Sequence, residues 1–350
     1  MHPAAPRYDN SCYFCAAQNE ILSFGEPTST VMTNTTKGYI FGAASAITYG
    51  LNPLFALPLY SDGMNPDSVL FFRYLMAIPV LGIMIRWRRH SFRLNRSELP
   101  AVICLGLLMA LSSLTLFLSY TYMAAGIAST ILFVYPVMVA LIMAIFYKEK
   151  VTPITAISIL LALTGIVLLY HGEDGETLSL TGVIMVLLSG LAYAIYMVWI
   201  NRPKIHQIPT VRLTFYVLTF GLSIFAVRLL CGCSDTLVEA GMGAKLTTPS
   251  TAWLWINQFC LALFPTAISF ICTTRAIQYV GSTVTAILGA LEPITAVFFG
   301  VIIFHEALTP RLMGGILLVI FAVSLIIAGG NLAKKLLHFR KLFPKGKLKG

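Results

Sequence analysis

The chain has 350 residues, 57% of them hydrophobic and only 11% charged, with a mean hydropathy of +0.82. A soluble domain carries about 25% charged residues, so this composition excludes an ordinary soluble protein, and with it a nucleic-acid-binding reading of the +10 net charge. What remains is an integral membrane protein, helical because spanning backbone must satisfy its own hydrogen bonds and no series of short alternating strands points to a barrel.

Residues 1–36 are polar and mixed, with no apolar core of a signal peptide, and are expected to form a disordered tail. Met32, just before the first apolar run, would itself serve as a start, and the preceding stretch is expected to be a dispensable tail, with its place in the native product left open. Cys12 and Cys15 form a CxxC without the second pair that a zinc site needs. Crossing a hydrocarbon core of about 30 Å takes about 20 apolar residues. Ten runs qualify, at 38–60, 67–86, 100–121, 126–147, 153–171, 180–200, 211–231, 252–275, 282–304 and 310–330. The connections between them are too short to hold a soluble catalytic domain. The predicted organisation is therefore the tail 1–36, five helices in 37–171, five more in 180–330, and a basic tail 331–350.

Basic residues cluster in alternate loops: Arg86, Arg88, Arg89, Arg93 and Arg96 after the second run, Lys148 and Lys150 after the fourth, Arg202, Lys204 and Arg212 after the sixth. The intervening loops are neutral or acidic, as at Asp62 and at Glu173-Asp174-Gly175-Glu176. The positive-inside rule then puts both termini in the cytoplasm of a protein in the cytoplasmic (inner) membrane.

One unit of sequence occurs twice. A shift of 157 positions carries Tyr122 onto Tyr279, Pro136 onto Pro293, Glu149 onto Glu306 and Thr152-Pro153 onto Thr309-Pro310. A shift of 144 carries Gly38 onto Gly182, Ser45 onto Ser189 and Tyr49 onto Tyr193. Five spans per copy is an odd number, so the second copy enters from the opposite side and the whole is a five-plus-five inverted-topology repeat. Two similar halves facing opposite ways can open a shared centre to one side and then the other.

The mid-span prolines and the repeated Glu-x-x-Thr-Pro exits, Glu149 to Pro153 and Glu306 to Pro310, resemble the EamA-type repeat of the drug/metabolite transporter superfamily. Leu291-Glu292-Pro293 is similar to the form usual in second repeats of that family, and the resemblance covers about residues 37 to 330. It implies a ten-helix carrier that exports or exchanges small metabolites. The substrate is not implied, since the family spans amino acids, sugars, nucleosides and drugs.

Glu292 lies about ten residues into its run, near the bilayer midplane, where a lone ionised carboxylate costs several kcal/mol. It must be protonated, paired or facing water, which suits a proton-coupled or substrate-facing group; the structural alternative is a carboxyl that bonds backbone freed beside Pro293. Arg73 either snorkels outward or faces the cavity as the partner of Glu292 or of a substrate carboxylate. Arg228 and Arg275, nearer span ends, are expected to snorkel. Pro136 and Pro293 are candidate hinges or packing kinks. Tyr49 with Asn52, and Tyr193 with Tyr196, are spaced by three and share helix faces, which together with Tyr135 are expected to line the cavity. Trp199, Tyr122 and Tyr147 fit the interfacial aromatic belt better. Glu149 and Glu306 end matching helices and are expected to fix helix ends or gates.

No GxxxxGK[ST] loop, HExxH motif or pair of intramembrane aspartates is present, which argues against ATP coupling and hydrolysis. The fourth and ninth runs also lack the Lys-Arg cluster that would suit a sugar phosphate. The expected function is a secondary transporter moving a small organic metabolite, an amino acid or related compound favoured, by alternating access. Export follows from the resemblance and not from any residue. The alternative is a membrane receptor or binding protein that does not transport; an intramembrane enzyme ranks below both. No metal and no cofactor are expected, the partners being a small-molecule substrate and the bilayer, with a homodimer left open and no nucleic acid.

Overall fold

A computed structural model describes residues 34–87, 91–147, 179–232, 243–289 and 291–304, together with Arg89 and isolated positions within 157–165 and 310–325. Most of the expected fifth and tenth spans, the CxxC and the C-terminal tail lie outside the described residues, as do Glu149 and Glu306.

The first span is α1 (Asn34–Gly50) followed at once by α2 (Asn52–Ser61). Residues 34–36, expected in the tail, already belong to the helix. Then come α3 (Pro66–Trp87), α4 (Leu99–Ser119), α5 (Ala125–Leu132) and α6 (Tyr135–Tyr147). The second half opens with α7 (Leu180–Ile200), the short α8 (Pro203–His206) and α9 (Thr210–Cys231). It continues with α10 (Ala252–Ala262), a π-helical turn (Leu263–Ile268), α11 (Ser269–Leu288) and α12 (Leu291–Phe304). Eight spans among the described residues are long and apolar enough to cross a membrane. They match eight of the ten expected runs, because hydropathy over a helix's length is the signal that a bilayer imposes.

α4 packs against α7 and α9, and α9 also against α3, while α12 lies on α5 and α2. With apolar side chains facing lipid as well as the interior, close packing of small residues and buried hydrogen bonds have to specify these contacts. The contacts follow the duplication. Ser45 of α1 donates to the Ser269 carbonyl of α11 at 3.1 Å, and the Ser269 hydroxyl donates back to the Ser45 carbonyl at 3.1 Å. Ser189 of α7 donates to the Ser112 carbonyl of α4 at 2.7 Å. Ser189 is the counterpart of Ser45, and Ser269, at 112 + 157, is the counterpart of Ser112. Likewise Gly38 lies against Tyr279 and Val280, and its counterpart Gly182 against Tyr122 and Met123. The first helix of each half thus packs on the third span of the other through equivalent residues.

The same correspondence explains where the chain leaves the helix. Ala124, just before α5, is extended at φ −55° and ψ 136°; its counterpart Gly281, inside α11, takes φ 83° and ψ 168°. That second conformation is open essentially to glycine alone. A Cβ on Gly281 would meet nothing within 4 Å, so the cost of Gly281→Ala is backbone strain only. It is expected to be about 1–3 kcal/mol, read as a lower thermal midpoint in detergent; an unchanged midpoint would contradict this backbone assignment.

Candidate functional site

The fourth and ninth spans are both broken near the middle. α5 ends at Leu132 and α6 begins at Tyr135; α11 ends at Leu288 and α12 begins at Leu291. Pro136 and Pro293, expected as hinges or packing kinks, stand in the first turn of the second segment of each span. There the missing N–H has no partner to lose and the fixed φ favours the helix, so proline starts the segment rather than bending it. Each break places the N-terminus of the second segment near the middle of the protein, with its first N–H groups bonded back into the turn: Val137 and Met138 to the Val134 carbonyl at 2.9 and 3.3 Å, and Glu292 to the Gly289 carbonyl at 2.9 Å.

Those N-termini carry Tyr135 and Glu292, which occupy equivalent positions in the two copies. Both face one small centre with Tyr49, Tyr193, Ser45, Thr273, Thr285 and Gly289. Glu292 is 5% exposed and Tyr135 3%. The Tyr135 hydroxyl donates to the Ala286 carbonyl at 3.3 Å, joining the fourth span to the ninth. Tyr49 and Tyr193, themselves counterparts, stack with ring centroids 6.4 Å apart, and the Tyr135 ring meets Tyr193 edge-on at 4.9 Å. The Ser45 and Thr273 hydroxyls lie 2.5 Å apart, completing a polar wall between α1 and α11. The space enclosed is about 10 Å³, room for about one water, so the centre is shut.

Of the seven residues expected to line the cavity, Tyr49, Tyr135, Tyr193 and Glu292 meet there. Tyr196 stacks on Tyr193 at 6.1 Å and is buried just outside this ring. Asn52, one turn from Tyr49, is buried with neither side-chain amide atom bonded. Arg73 does not snorkel: it is 0% exposed. Its Nε donates to the Thr266 hydroxyl at 2.5 Å and one terminal nitrogen to the Pro265 carbonyl at 3.1 Å, both on the π-helical turn. Pro265 lies in that turn, whose widened spacing leaves backbone carbonyls for a side chain to claim. The Arg73 guanidinium also stands 5.1 Å from the Phe117 ring and 6.0 Å from the Tyr49 ring. It makes no ion pair with Glu292, so the expected neutralisation of one by the other is not the arrangement here.

Polar ties hold the ends of the bundle. At one end Arg228, expected to snorkel, reaches Asp67 at 2.5 Å and 3.3 Å, joining α9 to α3. An acid one turn inside a neighbouring helix is a better partner than the membrane surface, and nothing in the local sequence of either helix announces it. Beside this pair, Asn65 and Ser68 bond Thr247, and Ser250 donates its N–H at 2.9 Å and its hydroxyl at 2.5 Å to Asp62. Those two donors hold the exposed Asp62 carboxyl below its usual range. A depressed carboxyl binds its donors above that lowered value and lets go only as pH falls through it, so the tie persists at any pH above ~4. At the other end Arg212 donates to the Ser91 and Arg93 carbonyls, and Tyr216 to the Phe92 carbonyl. Sequence reading missed Thr273, Thr285 and the Ser45–Ser269 pair; only the repeat alignment, carrying Ser112 onto Ser269, held a signal for them.

A family model described as the EamA-like transporter family matches residues 36–171 and again 180–328. The chain is 25% identical over 228 residues to the uncharacterized transporter YdfC of Bacillus subtilis (strain 168), covering 63% of this chain and 69% of that one. It is 26% identical over 274 residues to the uncharacterized transporter sll1319 of Synechocystis sp., covering 74% and 78%. A solved crystal structure at 18% identity shares the fold, with a TM-score of 0.60 over 85% of this chain and 98% of its own. With two consecutive family matches over most of its length and a helical bundle whose contacts repeat between the halves, the chain belongs to the EamA-like transporter family, as a multi-pass membrane transporter.

Proposed function

We propose that the protein is a secondary transporter of ten membrane helices, a five-plus-five inverted-topology repeat that moves a small organic metabolite by alternating access. Amino acids and related compounds are the favoured cargo, and export across the cytoplasmic membrane, with both termini inside, is the favoured direction. One observation carries the reading: two broken helices, equivalent in the two halves, bring Tyr135 and Glu292 to one enclosed centre. Broken helices with their N-termini at the centre are how a carrier exposes backbone dipoles to a ligand without exposing them to lipid.

The paired contacts supply the motion. Because Ser45–Ser269 and Ser189–Ser112 are the same interaction made twice, the halves can exchange conformations, one contact loosening as its counterpart tightens. The tyrosines offer rings to stack on a ligand and hydroxyls to bond it, and Glu292 offers the centre's one carboxyl among the described residues that line it.

Purified protein in liposomes, tested with labelled amino acids and nucleosides with and without a pH gradient, measures this directly. Saturable flux of an amino acid or related small metabolite is the expected result; absence of flux for every solute in protein of verified fold would overturn transport. Labelling of Asp62→Cys from outside, and of Arg88→Cys only from inside, is the expected topology.

A further inference from the structure

Arg73 is a buried cation with an open hand. Of its three nitrogens, two are bound to the π-helical turn, while the third, Nη1, is buried and has no hydrogen-bond partner. No carboxylate pairs with it among the described residues. A charge kept from water in this way is costly unless something neutralises it, and a guanidinium is built to grip a planar carboxylate through two parallel N–H groups. Its surroundings are otherwise neutral: the Phe117 ring at 5.1 Å, the Tyr49 ring at 6.0 Å, the Thr266 hydroxyl. Asn52, with both amide atoms unpartnered at 1% exposure, adds a second unused donor one turn along from Tyr49.

The position of Tyr49 gives this unused cation a direction. Tyr49 has the Arg73 guanidinium 6.0 Å from its ring, stacks on Tyr193, and lines the small centre together with Glu292. The buried acid and the buried base are thus both neighbours of Tyr49, one through the centre they line together and one beside its ring, and they do not pair with each other. The two groups that could cancel each other as an ion pair are not paired, and each stands without an ion partner. A ligand that carries both signs would satisfy both at once.

We propose that Arg73 forms the anion subsite of the transport centre, taking the carboxylate of a zwitterionic substrate whose ammonium group faces Glu292, with Tyr49 against the carbon chain between them. This rests on the transport reading above and narrows its cargo to solutes with a free carboxylate and an amine. Solutes with only one of the two groups leave the other group of the site without its partner and are disfavoured.

The test compares free neutral amino acids with their carboxamides and their decarboxylated amines, on wild type, Arg73→Gln and Arg73→Lys. Flux in liposomes and thermal stabilisation in detergent are both read. Wild type should favour the free amino acids by about 10-fold or more in both measurements. Arg73→Gln should erase that preference while retaining response to the amines, and Arg73→Lys should keep part of it. Equal responses to all three classes in wild type, or an intact preference in Arg73→Gln, would overturn the anion subsite. If Arg73→Gln does not fold, Arg73→Lys decides: weaker response to free amino acids with that to amides unchanged supports the subsite, and no change in either overturns it. Carboxylate-dependent stabilisation without flux would sink the transport reading and leave the subsite standing. Flux confined to solutes lacking a carboxylate would do the reverse, and neither response to any solute would remove both.

Discussion

Glu292→Gln is expected to lower solute flux by about 10-fold or more while leaving the protein folded. The size follows from what is removed: a charged partner in a buried site contributes about 1.5–3 kcal/mol, which is roughly 10- to 150-fold in affinity. The fold should survive because glutamine has nearly the same shape and the stretch around it is held by other contacts, including the Glu292 N–H to the Gly289 carbonyl at 2.9 Å. The structural alternative for this residue, a carboxyl serving only the N-terminus of α12, gives a different result. In that case Glu292→Gln would lower the thermal midpoint and leave flux per folded molecule unchanged. Glu292 is also the one acid among the described residues that line the centre, faced there by the uncharged hydroxyls of Tyr49, Tyr135, Tyr193, Ser45, Thr273 and Thr285. Arg73 stands beyond Tyr49. Any pH dependence of flux arising in this centre should therefore flatten in the variant.

The second large effect is expected at Gly289, in the break of the ninth span. A Cβ built there would run into the Tyr135 hydroxyl and crowd the Ala286 carbonyl. Those are the two groups that bond each other and join the fourth span to the ninth. Gly289→Ala should force them apart, destabilising the closed centre by about 1–3 kcal/mol, the range for overpacking a filled interior. The cause can be isolated, because the nearest obstacle is a single oxygen. Tyr135→Phe removes that oxygen, so the double variant should recover a substantial part of the stability that Gly289→Ala loses. Strict additivity of the two changes in thermal unfolding would mean that the glycine matters for some other reason.

How far these features could be read in advance depended on the physics behind each. Spans were legible because hydrophobic length is imposed by the bilayer and does not depend on tertiary context. The duplication was legible because Pro136 and Pro293, with the Glu-x-x-Thr-Pro exits, sit at one fixed shift. The pairing of Tyr135 with Glu292 followed from that shift, and that of Tyr49 with Tyr193 from the separate shift of 144. The helix breaks did not follow: a proline in mid-span reads as a kink, yet the same residue is an ordinary first-turn residue, and only the observed backbone separates the two. The π-helical turn at Leu263–Ile268 and the Arg73 contacts that bind it depend on two helices of different halves meeting. Ser45, Ser112, Ser189 and Ser269 read locally as serines bonding their own helix, as most do in membrane spans. Their role across the halves is visible only when one pair is compared with its counterpart.

Alternating access requires that one centre be reached from either side of the membrane in turn. Thr285→Cys, in a background with the native cysteines replaced, puts a thiol on the wall of that centre. Its reaction with a membrane-impermeant reagent can be followed in right-side-out and inside-out vesicles. Slow labelling from both faces is predicted, and a crosslink replacing the Asp67–Arg228 pair, which ties α3 to α9 at one end, should abolish labelling from that face only. Labelling from a single face in every condition, or loss from both faces on crosslinking, would contradict alternating access.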